Sequence, residues 1–189
     1  MVLRVTKLGE DVLRTKAEPV AEVNDEIRQL IDDMFETMYK DNGVGLAGPQ
    51  VDKSLRLFVV DADDGVRRAF INPQIIKTSE EVGEYDEGCL SVPGVYETIT
   101  RPLRVTVQAL NENGKRFTID ADGLLARVVQ HEYDHLNGVL FIDRGDKDIA
   151  AKAEASFQKK AERAAEKAKA KEAKAKKIAA KIAAKKAKK

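Results

Sequence analysis

Both histidines of this 189-residue chain fall inside one five-residue word, His131-Glu132-Tyr133-Asp134-His135. On an α-helix, residues four apart sit roughly 40° apart around the axis and about 6 Å along it, so both imidazoles leave one face. Two ligands of a single metal ion need that arrangement. Glu132, beside the first histidine, is placed to reach a water at the same ion rather than the ion itself. A helix with two unrelated surface histidines would have the same spacing. The chain holds no third histidine, however, and it carries the glutamate where the chemistry needs one. The word therefore sets a metal-binding helix at the centre of the expected fold.

A catalytic metal usually takes three protein ligands and keeps one position open for water. One metalloprotease continuation would place a histidine where Phe141 stands, so that version fails. Glu154 is the nearest downstream glutamate, but it lies in a charged, low-complexity stretch. Cys89, in Glu87-Gly88-Cys89-Leu90-Ser91, is the better candidate. As the only cysteine it cannot form an intrachain disulfide, which suits a reducing compartment and leaves a thiolate free to ligate. The alternative fate of such a residue is a small buried hydrophobe. A third word, Gly43-Val44-Gly45-Leu46-Ala47-Gly48-Pro49-Gln50, follows a periodic helix and precedes an apolar strand. It lacks the Lys-Ser/Thr of a phosphate-binding loop. It reads either as a tight connection through positive φ or as a loop that approaches an extended substrate, with the Gln50 amide as donor.

Together, in this order, the three words resemble those of the peptide deformylase family. These metalloenzymes remove the formyl group from the N-terminal methionine of new polypeptides and release formate. The resemblance runs over about residues 1–145 and rests on 43–50, 87–91 and 130–136, with support from Leu13-Arg14 and from Ala121-Asp122-Gly123-Leu124-Leu125. Gly48 stands where the family more often has alanine, and Tyr96 where some members have an arginine near the substrate backbone. The resemblance implies that Cys89, His131 and His135 hold one divalent ion, with water or hydroxide in the fourth position. Glu132 would act as base and then acid, and the Gln50 amide with the Leu90 backbone N–H would stabilise the oxyanion. It further implies a methionine pocket lined by Val44, Glu87, Leu124 and Val128, with Gly45 and Tyr96 nearby and Arg127 at the rim. Leu124 and Val128 read equally well as core, and Glu87 reads as a structural partner of Arg101. The expected native ion is Fe2+, with Ni2+, Co2+ or Zn2+ as substitutes, although two imidazoles and a thiolate suit zinc as well.

The expected fold class is α+β, with mixed or antiparallel sheets packed around the metal-binding helix and a Lys/Ala-rich helical extension at the C-terminus. Asn24 can cap a helix to about Asp41, with Ile27, Leu30, Ile31, Met34 and Met38 at helical spacing. Leu55 to Val60 reads as a buried strand, and short strands flank Asn72-Pro73. Residues 103–107 return through Phe117 and Ile119 as a hairpin, and Asp122 is placed to cap the metal helix. No apolar run is long enough to span a membrane and no signal-peptide core precedes the domain, so a cytoplasmic location is expected.

The net charge of +1 hides two opposite regions. Residues 1–146, read as the catalytic domain, carry 17 basic and 27 acidic groups, net −10. Residues 147–189 carry 16 basic and 5 acidic groups, net +11, with 16 alanines and too few large apolar residues to bury a core. This tail reads as an exposed helix that frays toward its end. It serves either as a solvated extension, as an electrostatic contact with ribosomal RNA near emerging N-formylmethionyl chains, or as a partner of its own acidic domain. Two other function classes use part of the pattern. A zinc endopeptidase shares the helix word but needs a third ligand from elsewhere. A nucleic-acid- or ribosome-binding module with a structural metal explains the tail but leaves Glu132 and Gln50 without purpose.

Overall fold

The computed structural model describes the backbone of residues 1–186 and the side chains of residues 1–176. The expected fraying at the very end of the tail, residues 187–189, lies outside the described residues. The chain divides into two compact units, Met1–Ala150 and Ala151–Lys189.

In the first unit, helix α1 (Asp25–Lys40) starts where Asn24 accepts a hydrogen bond from the Ile27 amide at 3.1 Å. Asp25 and Glu26 in its first turn and Lys40 in its last complement the helix dipole. Ile31, Met34, Phe35 and Met38, spaced by three and four, are buried on one face. That face packs on one side of a five-stranded antiparallel sheet ordered β1-β2-β3-β6-β7. The strands are β1 (Gly45–Ala47), β2 (Leu57–Val60), β3 (Arg68–Thr78), β6 (Val105–Leu110) and β7 (Arg116–Ala121).

The apolar run Leu57-Phe58-Val59-Val60 alternates between the two sides of this sheet. Leu57 and Val59 join the α1 cluster, whereas Phe58 and Val60 join the cluster of helix α2 (Gly123–His135). A strand covered on both faces has no polar side, which is why the run looks uninterrupted in sequence. Phe58 and Phe70 stack with ring centroids 4.8 Å apart under Val128, Val129 and Leu136.

The second sheet is the hairpin β4 (Val82–Gly88) and β5 (Tyr96–Pro102), paired from Val82↔Pro102 to Gly88↔Tyr96. Arg127 donates to the Ile99 carbonyl at 2.9 Å and Gln130 to the Pro102 carbonyl at 3.0 Å, so α2 lies between the two sheets. The expected α+β fold around a central helix is the one observed.

Two local expectations are corrected. The segment around Asn72-Pro73 is one strand, β3, with a register shift between Ile71 and Gln74 rather than two strands. Asn72 takes a φ of 51° there, and its side chain bonds both the Val20 amide and the Val20 carbonyl at 2.8 Å. Those bonds replace the pairing that the proline removes. Asp122 does stand at the N-cap of α2, but its side chain makes no capping hydrogen bond.

Helix α3 runs Lys147–Lys186. Within the second unit, the described side chains from 151 to 176 are exposed except Ala153 and Phe157. Among the described residues no helix is long and apolar enough to cross a membrane.

Candidate metal centre and active site

Nine of the thirteen residues of α2 are buried, including Arg127, Gln130, His131, Glu132, Asp134 and His135. Polar groups enter a helix interior face at a cost unless partners await them. On this helix the partners come from the hairpin and from the loop after β4.

The loop after β4 brings Cys89 to the histidine face of α2. The ligand atoms of Cys89, His131 and His135 all lie within 4.8 Å of one another, and Cys89 Sγ stands 3.3 Å from His135 Nε2. Metal–nitrogen bonds of about 2.0–2.1 Å and a metal–sulfur bond of about 2.3 Å put tetrahedral donors about 3.4–3.6 Å apart, so this spacing suits one cation. The sulfur also accepts from the Ser91 amide and from Gln50 Nε2, both at 3.4 Å. Two imidazoles and a sulfur converging in this way fit a metal.

The imidazoles are held differently. His131 Nδ1 lies 2.9 Å from Glu87 Oε2, which leaves Nε2 to face the cysteine. Burial opposes a charge on this ring, but the Cys89 sulfur and the Glu87 carboxylate outweigh it and its pKa rises well above 6.5. Burial and the neighbouring His131 push His135 well below that value. Burial works against the Glu87 carboxylate too, yet His131 and Arg101 hold its pKa down at about 2. Arg101 forks onto Glu87, with Nε at 2.6 Å from Oε1 and a terminal nitrogen at 2.9 Å from Oε2.

Glu132 is 3 % exposed, and burial pushes its carboxyl up to about 7. Its Oε2, like His135 Nδ1, is buried without a hydrogen-bond partner among the described residues. A carboxyl group near neutral pKa, unspent on structure and beside His131 in sequence, is suited to passing a proton both ways. Gly45 permits its position: a Cβ there would collide with Glu132 Oε1 and lie 2.7 Å from Val128 Cγ1.

A cavity of about 780 Å³ opens over these groups. Val44, Gly45, Gln50, Glu87, Cys89, Leu90, Tyr96, Leu124, Val128, His131 and Glu132 all line it, whereas His135 and Arg101 are buried behind. Leu124 and Val128 also pack in the core under the sheet, so lining and packing are not alternatives for them. Tyr96 is 73 % exposed at the mouth. Gln50 sits in a short 3-10 turn, its Oε1 accepting from the Ala47 amide at 2.8 Å while Nε2 also reaches Ser91 Oγ at 3.2 Å.

Arg127 also lines the cavity, but its guanidinium does not spread over a solvated rim. It is 8 % exposed and turns inward, donating to Glu87 Oε1 at 3.1 Å and to the carbonyls of Ile99 and Gly83. A buried carboxylate offers a guanidinium more than a solvated rim does. Residues that sequence reasoning passed over also take part. Lys7 donates through Nζ to the Leu90 carbonyl at 2.7 Å, and Ser91 bonds both Cys89 and Gln50. Ser91 at least lay inside the cysteine word; nothing near Lys7 pointed to Leu90.

Comparison with known proteins accounts for this geometry. The model of the family described as polypeptide deformylase matches residues 2–151. A peptide deformylase of Treponema pallidum is 59% identical over 139 residues, covering 74% of this chain and 85% of that protein. One from Fusobacterium nucleatum is 50% identical over 171 residues, covering 88% of this chain and 98% of that protein. The crystal structure of a peptide deformylase from Legionella pneumophila is similar with a TM-score of 0.80 at 41% identity, covering 87% of this chain and 98% of that one. Neither the endopeptidase nor the structural-metal reading finds support in these matches. The chain belongs to the polypeptide deformylase family, whose known function is removal of the formyl group from N-terminal methionine.

Proposed function

We propose that residues 1–146 form the catalytic domain, in which Cys89, His131 and His135 hold one divalent cation, Fe2+ in its native state, and Glu132 moves the protons of deformylation. The observation that carries this reading is a buried Glu132 Oε2, without a partner among the described residues, in the cavity onto which Cys89 and His131 converge. When bound, such a cation supplies the Lewis acidity that makes water nucleophilic at neutral pH.

Glu132 then takes a proton from the attacking water at Oε2 and returns it to the departing amine nitrogen. As the formyl carbon becomes tetrahedral, negative charge grows on its oxygen. Gln50 Nε2 and the Leu90 backbone N–H are the donors for that oxygen, and the Ala47 amide holds the other end of the Gln50 carboxamide. Fixed donors of this kind cost no reorganisation as the charge develops. Val44, Leu124 and Val128, with the Gly45 backbone, receive the methionine side chain, while Tyr96 flanks the peptide beyond it. Glu87 serves the site from behind, orienting the His131 ring.

We place the enzyme in the cytoplasm, acting on nascent N-formylmethionyl peptides, with residues 147–189 as a tail attracted to ribosomal RNA. The tail's net charge of +11 supports this, since counter-ion release favours a basic helix on phosphates. Binding of that kind weakens with salt, so co-sedimentation with ribosomes should fall at least about tenfold between 50 and 200 mM salt.

Formate release from an N-formylmethionyl tripeptide, run beside its N-acetyl and unblocked counterparts, tests the catalytic reading. Only the formyl peptide should react. Cleavage of an internal bond, or equal release from the acetyl peptide, would refute it.

A further inference from the structure

The hydrogen bonds around Glu87 do not stop at Arg101. The third nitrogen of that guanidinium donates to Asp134 Oδ2 at 2.7 Å, and Arg144 completes the chain with Nε on Oδ2 and a terminal nitrogen on Oδ1, both at 2.5 Å. A continuous path therefore runs from His131 through Glu87, Arg101 and Asp134 to Arg144. The Arg101 and Asp134 side chains are 3 % and 8 % exposed, whereas that of Arg144 is 45 % exposed.

We infer that Arg144 is a positioning residue for the metal-ligand set, acting on His131 from four groups away; this rests on the assignment of His131 as a ligand. The argument turns on how Arg101 divides its fork. Two buried carboxylates share the Arg101 guanidinium: Glu87 has Arg127 besides, at the longer distance of 3.1 Å, and Asp134 has Arg144. With Arg144 clamped on both Asp134 oxygens, Arg101 need give Asp134 only one nitrogen and can keep two on Glu87. Without Arg144, Asp134 is a buried carboxylate with a single partner, and the gain from drawing Arg101 toward it is large. Glu87 would then lose the geometry that fixes the His131 ring.

The backbone carrying Arg144 is itself pinned on both sides. Asp143 pairs with Arg14 at 2.5 Å, and the Asp146 amide donates to Glu97. Arg144 is thus delivered to Asp134 from a held segment, and its fork matches a carboxylate as a lysine ammonium cannot.

The test is Co2+ binding by the full chain, read as the visible ligand-field spectrum and as affinity in chelator competition. Arg144→Met should weaken Co2+ binding about tenfold, the lower end of what outer partners of a ligand contribute, and shift the spectrum. Arg144→Lys should fall between the two, and it supplies the measurement if the methionine variant does not fold. Asp143→Asn breaks the Arg14 pair and so loosens the same segment while leaving the Arg14 charge in place, and it should keep both the spectrum and the affinity. Wild-type spectrum and affinity in Arg144→Met, or in Arg144→Lys when that variant stands in, would overturn the inference. So would an equal change in Asp143→Asn, which would make the effect one of segment loosening. If the unaltered chain binds no Co2+, the metal assignment and this inference fall together; normal binding in the wild type with no effect at Arg144 removes only the latter.

Discussion

Helix α2 and the tail portion of α3 use the same charged residue types to opposite ends. Along the thirteen residues of α2, Arg127, Glu132 and Asp134 are buried, and Arg127 and Asp134 are each tied to groups from other elements. From 158 to 176 every side chain is exposed, and Lys176 pairs with Glu172 one turn away at 2.7 Å. Charges in the first setting shape neighbouring pKa values and orient ligands, because burial strengthens each interaction. Charges in the second are screened and contribute little to stability individually. Summed charge therefore describes neither region: +1 for the chain conceals −10 and +11.

The largest effect should come from the one buried charge on α2 that no structural partner claims. Glu132→Ala should lower kcat by about 10²–10⁴-fold while keeping the metal, as read by formate release beside metal analysis. Retention of near-normal turnover would break the contrast, since it would make Glu132 as dispensable as a tail glutamate.

Packing sharpens the comparison next. Phe58→Ala, under α2, should cost about 3–5 kcal/mol of unfolding free energy in denaturant titration. Ala168→Gly in the tail should cost at most about 1 kcal/mol, and only of local helix content by circular dichroism. Loss of one oxyanion donor in Gln50→Ala should cost about 2.7–4 kcal/mol of transition-state stabilisation, below the Phe58 effect on folding, appearing in kcat more than in KM. Smallest of all is deletion of residues 151–189. It should leave kcat/KM for a formyl tripeptide within about twofold, because the cavity lining and the three converging donor residues all come from the first unit. The same deletion should remove salt-sensitive ribosome co-sedimentation, and sedimentation that persists unchanged would argue against the tail's role.

What could be read in the sequence follows how local each signal is. The two histidines and Glu132 share a turn and a half of helix, so their common face is visible from spacing alone. Asn24 and the helix it caps are equally local. Cys89 lies 46 residues from His135, and its convergence could be proposed only because no other cysteine competed and the surrounding word matched a family. The β4–β5 hairpin was not anticipated. Six of the seven β4 residues are not buried, and Glu84 and Asp86 interrupt any apolar alternation, so the strand has no period-two signature. Arg101, Asp134 and Arg144 form one buried path, yet in sequence each is a charged residue of the kind that normally faces water. Arg127 was placed at the rim for the same reason, and Glu87 drew it inward.

X-ray absorption at the metal edge of the loaded full-length chain tests the central claim most directly. Convergence of Cys89, His131 and His135 on one cation predicts a single sulfur at about 2.3 Å together with imidazole nitrogens at about 2.0–2.1 Å. A first coordination sphere made only of nitrogen and oxygen would contradict it.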